Sequence, residues 1–208
     1  MAVSARAEQQ TVPARAVAVE LPSGRSTGWW GMALFITTEA ALFACLIASY
    51  FYLRFKATPE WPLDGITAPE LRTPLIMSVL LFSSSAPMAW ADRAVRRGRI
   101  GRLRLGLALT LLLGLGFLSL QAFEYQVKLR EFTPATNVYG SLFYGITGFH
   151  GFHVAVGLLM ISFVLVAALR GRISTERHLR VQVTAIYWHF VDAVWAAILL
   201  SIYLSPHL

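Results

Sequence analysis

The sequence predicts an all-α fold, a polytopic membrane bundle of five transmembrane helices, and three observations carry that expectation. Of 208 residues, 56% are apolar and only 14% charged, against roughly a quarter charged in a soluble domain. The apolar residues are gathered into five runs, each at or beyond the ~20 residues that cross a hydrocarbon core about 30 Å thick. The charges, arginines above all, fall between those runs.

Residues 1–28 hold Pro, Ser, Arg and Glu but no apolar run, so they read as a flexible arm without a cleavable signal peptide. The first span is Trp29–Leu53, too long for a signal core. It contains Cys45, the single cysteine, which excludes disulfides and cysteine metal sites. The second span, Leu71–Ala91, carries Ser83, Ser84 and Ser85 just before Pro87, which predicts a kink whose freed carbonyls need partners. The third, Leu103–Val127, and the fifth, Val181–Leu204, are of ordinary length. The fourth, Tyr139–Leu169, is long enough to tilt or to extend past the membrane.

Orientation follows from the basic residues. Thirteen of the 18 Lys+Arg fall in the amino-terminal arm, the loop after the second span and the loop after the fourth. Arg54, Lys56, Arg72, Lys128 and Arg130 are the five on the other side. The positive-inside rule then puts the amino terminus in the cytoplasm and the carboxyl terminus outside. A formal charge of +7 could suggest nucleic acid, but arginines in short loops between apolar runs describe membrane topology instead. Trp29, Trp30 and Trp61 sit near the expected interfaces.

Lipid tails give no apolar contrast, so helices must associate through close backbone approach and polar contacts. Small residues at helical spacing supply the first: Ala40, Ala44 and Ala48; Gly106, Thr110 and Gly114; Gly145, Gly148 and Gly151. The polar residues inside the spans are more selective. Glu39, His150, His153, His189 and Asp192 lie within about two helical turns of the midplane if each span is centred. Ionisable groups at that depth are costly and mark functional sites by default. His150 and His153 share a helix face, as do His189 and Asp192. Glu124 lies near the outer end of its span, where water can reach it in part. A buried carboxylate here must be paired, hydrogen-bonded or protonated.

Three uses compete for these groups. They can tie helices together through His–Glu and His–Asp contacts. They can ligate haem or metal, although histidines at i, i+3 on one helix do not place one ligand on each haem face. Or Glu39, flanked by Thr37 and Thr38, can handle protons.

Four stretches go further than these physical readings. They are Tyr139 through Val154 (YGSLFYGITGFHGFHV), Tyr187 through Trp195 (YWHFVDAVW), Met32 through Glu39 (MALFITTE) and Leu120 through Tyr125 (LQAFEY). Over about Trp29 to Leu204 the chain resembles subunit III of cytochrome c oxidase, with Pro74 through Leu81 a looser match. The resemblance implies a non-catalytic integral subunit of a haem-copper terminal oxidase that reduces oxygen to water and pumps protons. It implies no cofactor on this chain: haem and copper belong to partner subunits I and II, with subunit I packed directly against it. Its part would be to brace subunit I, hold structural phospholipid and support proton uptake. Five spans resemble the short bacterial form of the family, in a bacterial cytoplasmic membrane, and a respiratory supercomplex is a further setting.

By position, Glu39 matches the family's carbodiimide-reactive carboxylate and Glu124 the acid of its Gln-Ala-x-Glu-Tyr helix. His150, His153, His189 and Asp192 match its intramembrane polar residues, which look structural. Arg93, Arg96, Arg97 and Arg99 are candidates for lipid head-group contacts, and no residue is expected to ligate a metal. Ile76 and Met77 depart from the Asn-Thr of many relatives. The nearer alternatives are subunit III of a quinol oxidase and the related nitric oxide reductase accessory protein. The distant one is a free-standing proton or solute transporter, for which no inverted repeat speaks.

Overall fold

The computed structural model describes residues 26–57, 61–63, 66, 69–176 and 178–207. Its main elements are five helices: α1 (Thr27–Lys56), α2 (Arg72–Arg96), α3 (Ile100–Lys128), α4 (Val138–Leu169) and α5 (Leu179–Ile198). All five expected spans are helical, each helix overrunning its apolar run at one end or both. α5 continues into a π-helical turn, Leu199–Leu204, and a short 3-10 turn, Ser205–His207. Most of the arm 1–28 lies outside the described residues, but Thr27 and Gly28 already belong to α1 and the boundary moves accordingly.

Local chemistry explains where the helices stop. α2 and α4 both end on the basic side with a glycine in the left-handed region, Gly98 at φ 68° and Gly171 at φ 69°. In each, the following residue bonds back five positions: Arg99 N–H to the Ala94 carbonyl and Arg172 N–H to that of Ala167, both at 2.9 Å. That paired closure satisfies carbonyls a helix end leaves open, and a Cβ would strain it. α4 begins with Asn137, whose side chain accepts from the Gly140 N–H at 3.0 Å. Pro87 does not break α2, which is helical through to Arg96. Across from it, Thr110 Oγ1 lies 3.4 Å from the Ser84 carbonyl.

α5 is the axis of the bundle. In its most apolar stretch 61% of residues are buried, against 6% for α1. It packs against α1, α2 and α4, while α3 closes the ring between α2 and α4. Two tryptophans of α5, Trp188 and Trp195, are fully enclosed. Trp188 fits there because Gly114 of α3 and Gly157 of α4 leave room. A Cβ on either would come within 2.8 Å of its ring, a distance real packing does not tolerate.

The expected small-residue stripes divide. Gly106, Thr110 and Gly114 are buried in helix contacts, and a Cβ on Gly106 would meet the Pro87 carbonyl at 2.7 Å. Ala40, Ala44 and Ala48 are exposed and instead line one wall of an apolar groove, with Phe190, Ala193 and Ala197 of α5 opposite. The small side chains there open a trough of about 530 Å³ rather than bring two backbones together. On α4, Gly151 is buried against Gln121, whereas Gly145 is exposed, and a methyl group added to it would meet nothing within 4 Å.

A candidate intramembrane polar network

α5 turns one stripe toward α2, and three serines of α2 meet it. The indole N–H of Trp188 donates to Ser84 Oγ at 2.9 Å, and that of Trp195 to Ser78 Oγ at 2.8 Å. Between these two, Ser85 Oγ donates to Asp192 Oδ2 and lies 3.0 Å from His189 Nδ1. A buried indole N–H without an acceptor costs about 1–3 kcal/mol, so the Ser–Trp pairs fix the rotation of α5 against α2. Of the three serines that read as a kink signal, Ser84 and Ser85 are thus interhelical hydrogen-bond partners, while Ser83 is exposed and donates to the Leu80 carbonyl of its own helix.

The expected His–Asp pair is indirect. His189 Nδ1 and Asp192 Oδ2 are 4.0 Å apart, with Ser85 between them. Asp192 is 6% exposed and its Oδ1 has no hydrogen-bond partner among the described residues. The His189 side chain is 44% exposed. It lines a polar cavity of about 500 Å³ together with Ser26, Asp92, Arg93, Arg96 and Gln182. Arg96 pairs with Asp92 at 2.7 Å within that cavity.

The expected His–Glu pair forms directly: His153 Nε2 on α4 lies 3.0 Å from Glu39 Oε2 on α1. His153 Nδ1 lies 2.8 Å from the Phe149 carbonyl, which can only accept, so Nδ1 carries a hydrogen. Glu39 and His153 thus share one proton across the gap. Thr37 and Thr38 do not bond to Glu39; their hydroxyls donate to carbonyls of their own helix. His150 pairs with nothing polar among the described residues and stacks on Trp195 at a centroid distance of 5.3 Å.

Glu124 is more enclosed than its place near the end of α3 suggests. It is 5% exposed, and the π turn after α5 brings Tyr203 over it, hydroxyl to Oε2 at 3.5 Å. A one-residue expansion of a helix leaves no mark in apolar periodicity, so that contact is invisible in the sequence. Also unforeseen is a clamp at the same end, where Arg54 of α1 donates to the hydroxyl and carbonyl of Ser205. Gln121 and Tyr125 reach across from α3 to Thr147 of α4, at 2.8 and 2.6 Å. Of the arginines expected to meet head groups, Arg93, Arg97 and Arg99 are exposed and surround a small pocket with Trp90 and Arg102. Arg96 is taken up by Asp92. Among the described residues no three His, Cys, Asp or Glu converge as metal ligands do.

Five apolar helices around a buried serine–tryptophan seam, with a Glu39–His153 pair and an enclosed Asp192 between them, define a polytopic membrane subunit. The family model described as cytochrome c oxidase subunit III matches residues 23–206. The protein named cytochrome c oxidase subunit 3 in Cyprinus carpio is 38% identical over 179 residues, covering 84% of this chain and 68% of that one. Those of the same name in Carassius auratus and Gadus morhua are 37% identical with the same coverage. The chain belongs to the cytochrome c oxidase subunit III family.

Proposed function

We propose that this chain serves as the third, non-catalytic subunit of a cytochrome c oxidase, bracing subunit I in a bacterial cytoplasmic membrane. Membership of the family carries the assignment to a haem-copper oxidase complex. The observation that supports a bracing role is the mismatch between inside and outside. α5 is mostly enclosed within the chain, while Leu34, Phe35, Leu42, Tyr52 and Phe55 of α1 and Leu112 of α3 point outward. Such faces suit lipid and neighbouring helices of a partner subunit. Haem and copper are assigned to subunits I and II, and structural phospholipid to this chain's outer faces. The pocket of Trp90, Arg93, Arg97, Arg99 and Arg102 suits anionic head groups, each basic residue contributing around 1 kcal/mol near the surface. The charge asymmetry supports a cytoplasmic position for that pocket.

A quinol oxidase subunit III is the second reading, and the relatives' shared name favours cytochrome c as the electron donor. The test is purification of the tagged chain from its native membrane in mild detergent, with partner identification and a visible spectrum. Haem- and copper-bearing subunits I and II are expected to co-purify, the second with a copper-binding domain. A subunit II without that domain moves the assignment to quinol, and a solitary colourless chain overturns it.

A further inference from the structure

We infer that Asp192 is a proton-binding site loaded from the polar cavity on the basic side through His189 and Ser85. Three facts converge on it. Asp192 is almost wholly enclosed, at 6% exposure, and no Lys or Arg pairs with it among the described residues. Its Oδ2 is bonded to Ser85, whose oxygen also meets His189 Nδ1 at 3.0 Å, so imidazole, hydroxyl and carboxyl form an unbroken chain. His189, its side chain 44% exposed, lines a cavity of about 500 Å³ that also holds Asp92, Arg93 and Arg96.

Hydrogen counting gives this chain two arrangements with the same heavy-atom positions. A serine hydroxyl has one hydrogen. When Asp192 is ionised, Ser85 donates to it, His189 Nδ1–H donates to Ser85, and Nε2 is bare. When Asp192 is protonated, its O–H donates to Ser85, Ser85 donates to Nδ1, and Nε2 carries the hydrogen. The arrangements differ by one proton. A proton entering at Nε2 displaces the Nδ1 hydrogen to Ser85, and the serine hydrogen moves to Asp192 Oδ2. Imidazole and serine finish neutral, and the carboxylate has become a carboxylic acid. The alternative, an imidazolium facing a carboxylate at 4.0 Å, leaves the enclosed Asp192 charged with Ser85 as its hydrogen-bond donor among the described residues, a costly arrangement for a buried ion.

Among the described residues the neighbouring helices supply no other partner for Asp192. From α2, Asp92, Arg93 and Arg96 face the cavity, with Arg96 bound to Asp92. From α1 and α4, Glu39 and His153 are bound to each other. His150 of α4 is enclosed by Phe117, Phe43 and Trp195. α5 starts at Leu179, so His189 lies about 15 Å along the helix from that end, at about 1.5 Å per residue. The cavity therefore carries solvent access inward and the Ser85 bridge delivers the proton the rest of the way.

The experiment is infrared difference spectroscopy of the full chain, with its co-purifying subunits in nanodiscs, after a rapid downward pH step. A carboxylic-acid carbonyl band is expected, moved by aspartate carrying a carbon-13 carboxyl and absent in Asp192→Asn. Ser85→Ala should keep the band's final height while slowing its rise at least tenfold. A band that survives in Asp192→Asn, no aspartic-acid band in the isotope-labelled wild type, or an unchanged rise in Ser85→Ala would each overturn the inference. Where Asp192→Asn fails to assemble, the labelled Ser85→Ala spectrum decides the first point, because Ser85 bonds to Asp192 and its loss should slow that aspartic-acid band alone. The readout is independent of oxygen reduction, so it stands or falls apart from the oxidase assignment.

Discussion

Single side chains hold this bundle together where burial of apolar surface cannot. The Glu39–His153 contact is the only polar side-chain tie between α1 and α4 among the described residues, and it requires one shared proton. Glu39→Gln supplies an amide hydrogen to His153 Nε2 and should retain most of the tie. Glu39→Ala removes it and should weaken α1 docking by about 1 kcal/mol, the scale of interhelical hydrogen bonds in membranes. Unfolding titrations of the purified chain in bicelles check the difference between the two. If Glu39 has a proton-handling role as well, Glu39→Gln in the assembled oxidase should shorten its turnover lifetime and abolish carbodiimide sensitivity.

At the scale of elements, space decides more than polarity. Gly114 and Gly157 form the socket for Trp188, and a Cβ on either overlaps the indole. Gly114→Leu should abolish assembly, while Gly145→Ala, which meets nothing, should accumulate as the parent does; membrane protein levels and complex recovery compare them. The five helices are legible from apolar run length alone, since the hydrocarbon core imposes it. The Glu39–His153 partnership is legible as a type of contact, because deep ionisable groups need partners. Three other features are not. Ser85 reads as a backbone-bending residue, as serines beside proline usually are, and its bridging position depends on how α5 rotates against α2. The enclosure of Glu124 is hidden because its distance along α3 says nothing of a π turn arriving from a segment 79 residues away. The alanines of α1 read as packing, because small residues at i, i+4, i+8 look alike whether the partner helix closes on them or leaves a trough.

For the whole molecule, alternating helices put the α1 start, the α2–α3 turn and the α4–α5 loop on one face. The arginine-rich stretches 93–104 and 170–180 fall there, and the positive-inside rule predicts that this face is cytoplasmic. With Cys45 replaced, Glu131→Cys should react with an impermeant maleimide on intact cells and Arg99→Cys only after lysis. The reverse labelling would invert the topology.

The sparse seating of α1 bears on how the protein is made. Its polar side-chain partners beyond its own neighbourhood come late in the chain: Glu39 meets His153, 114 residues on, and Arg54 meets Ser205, 151 residues on. α1 leaves the ribosome before the other four helices, yet those partners are synthesised last. Until then it waits in the bilayer as a solitary hydrophobic rod, while α2 and α3 can already pair as a hairpin. Docking of α1 within the bundle therefore lags its synthesis, and membrane insertases have that interval in which to engage it.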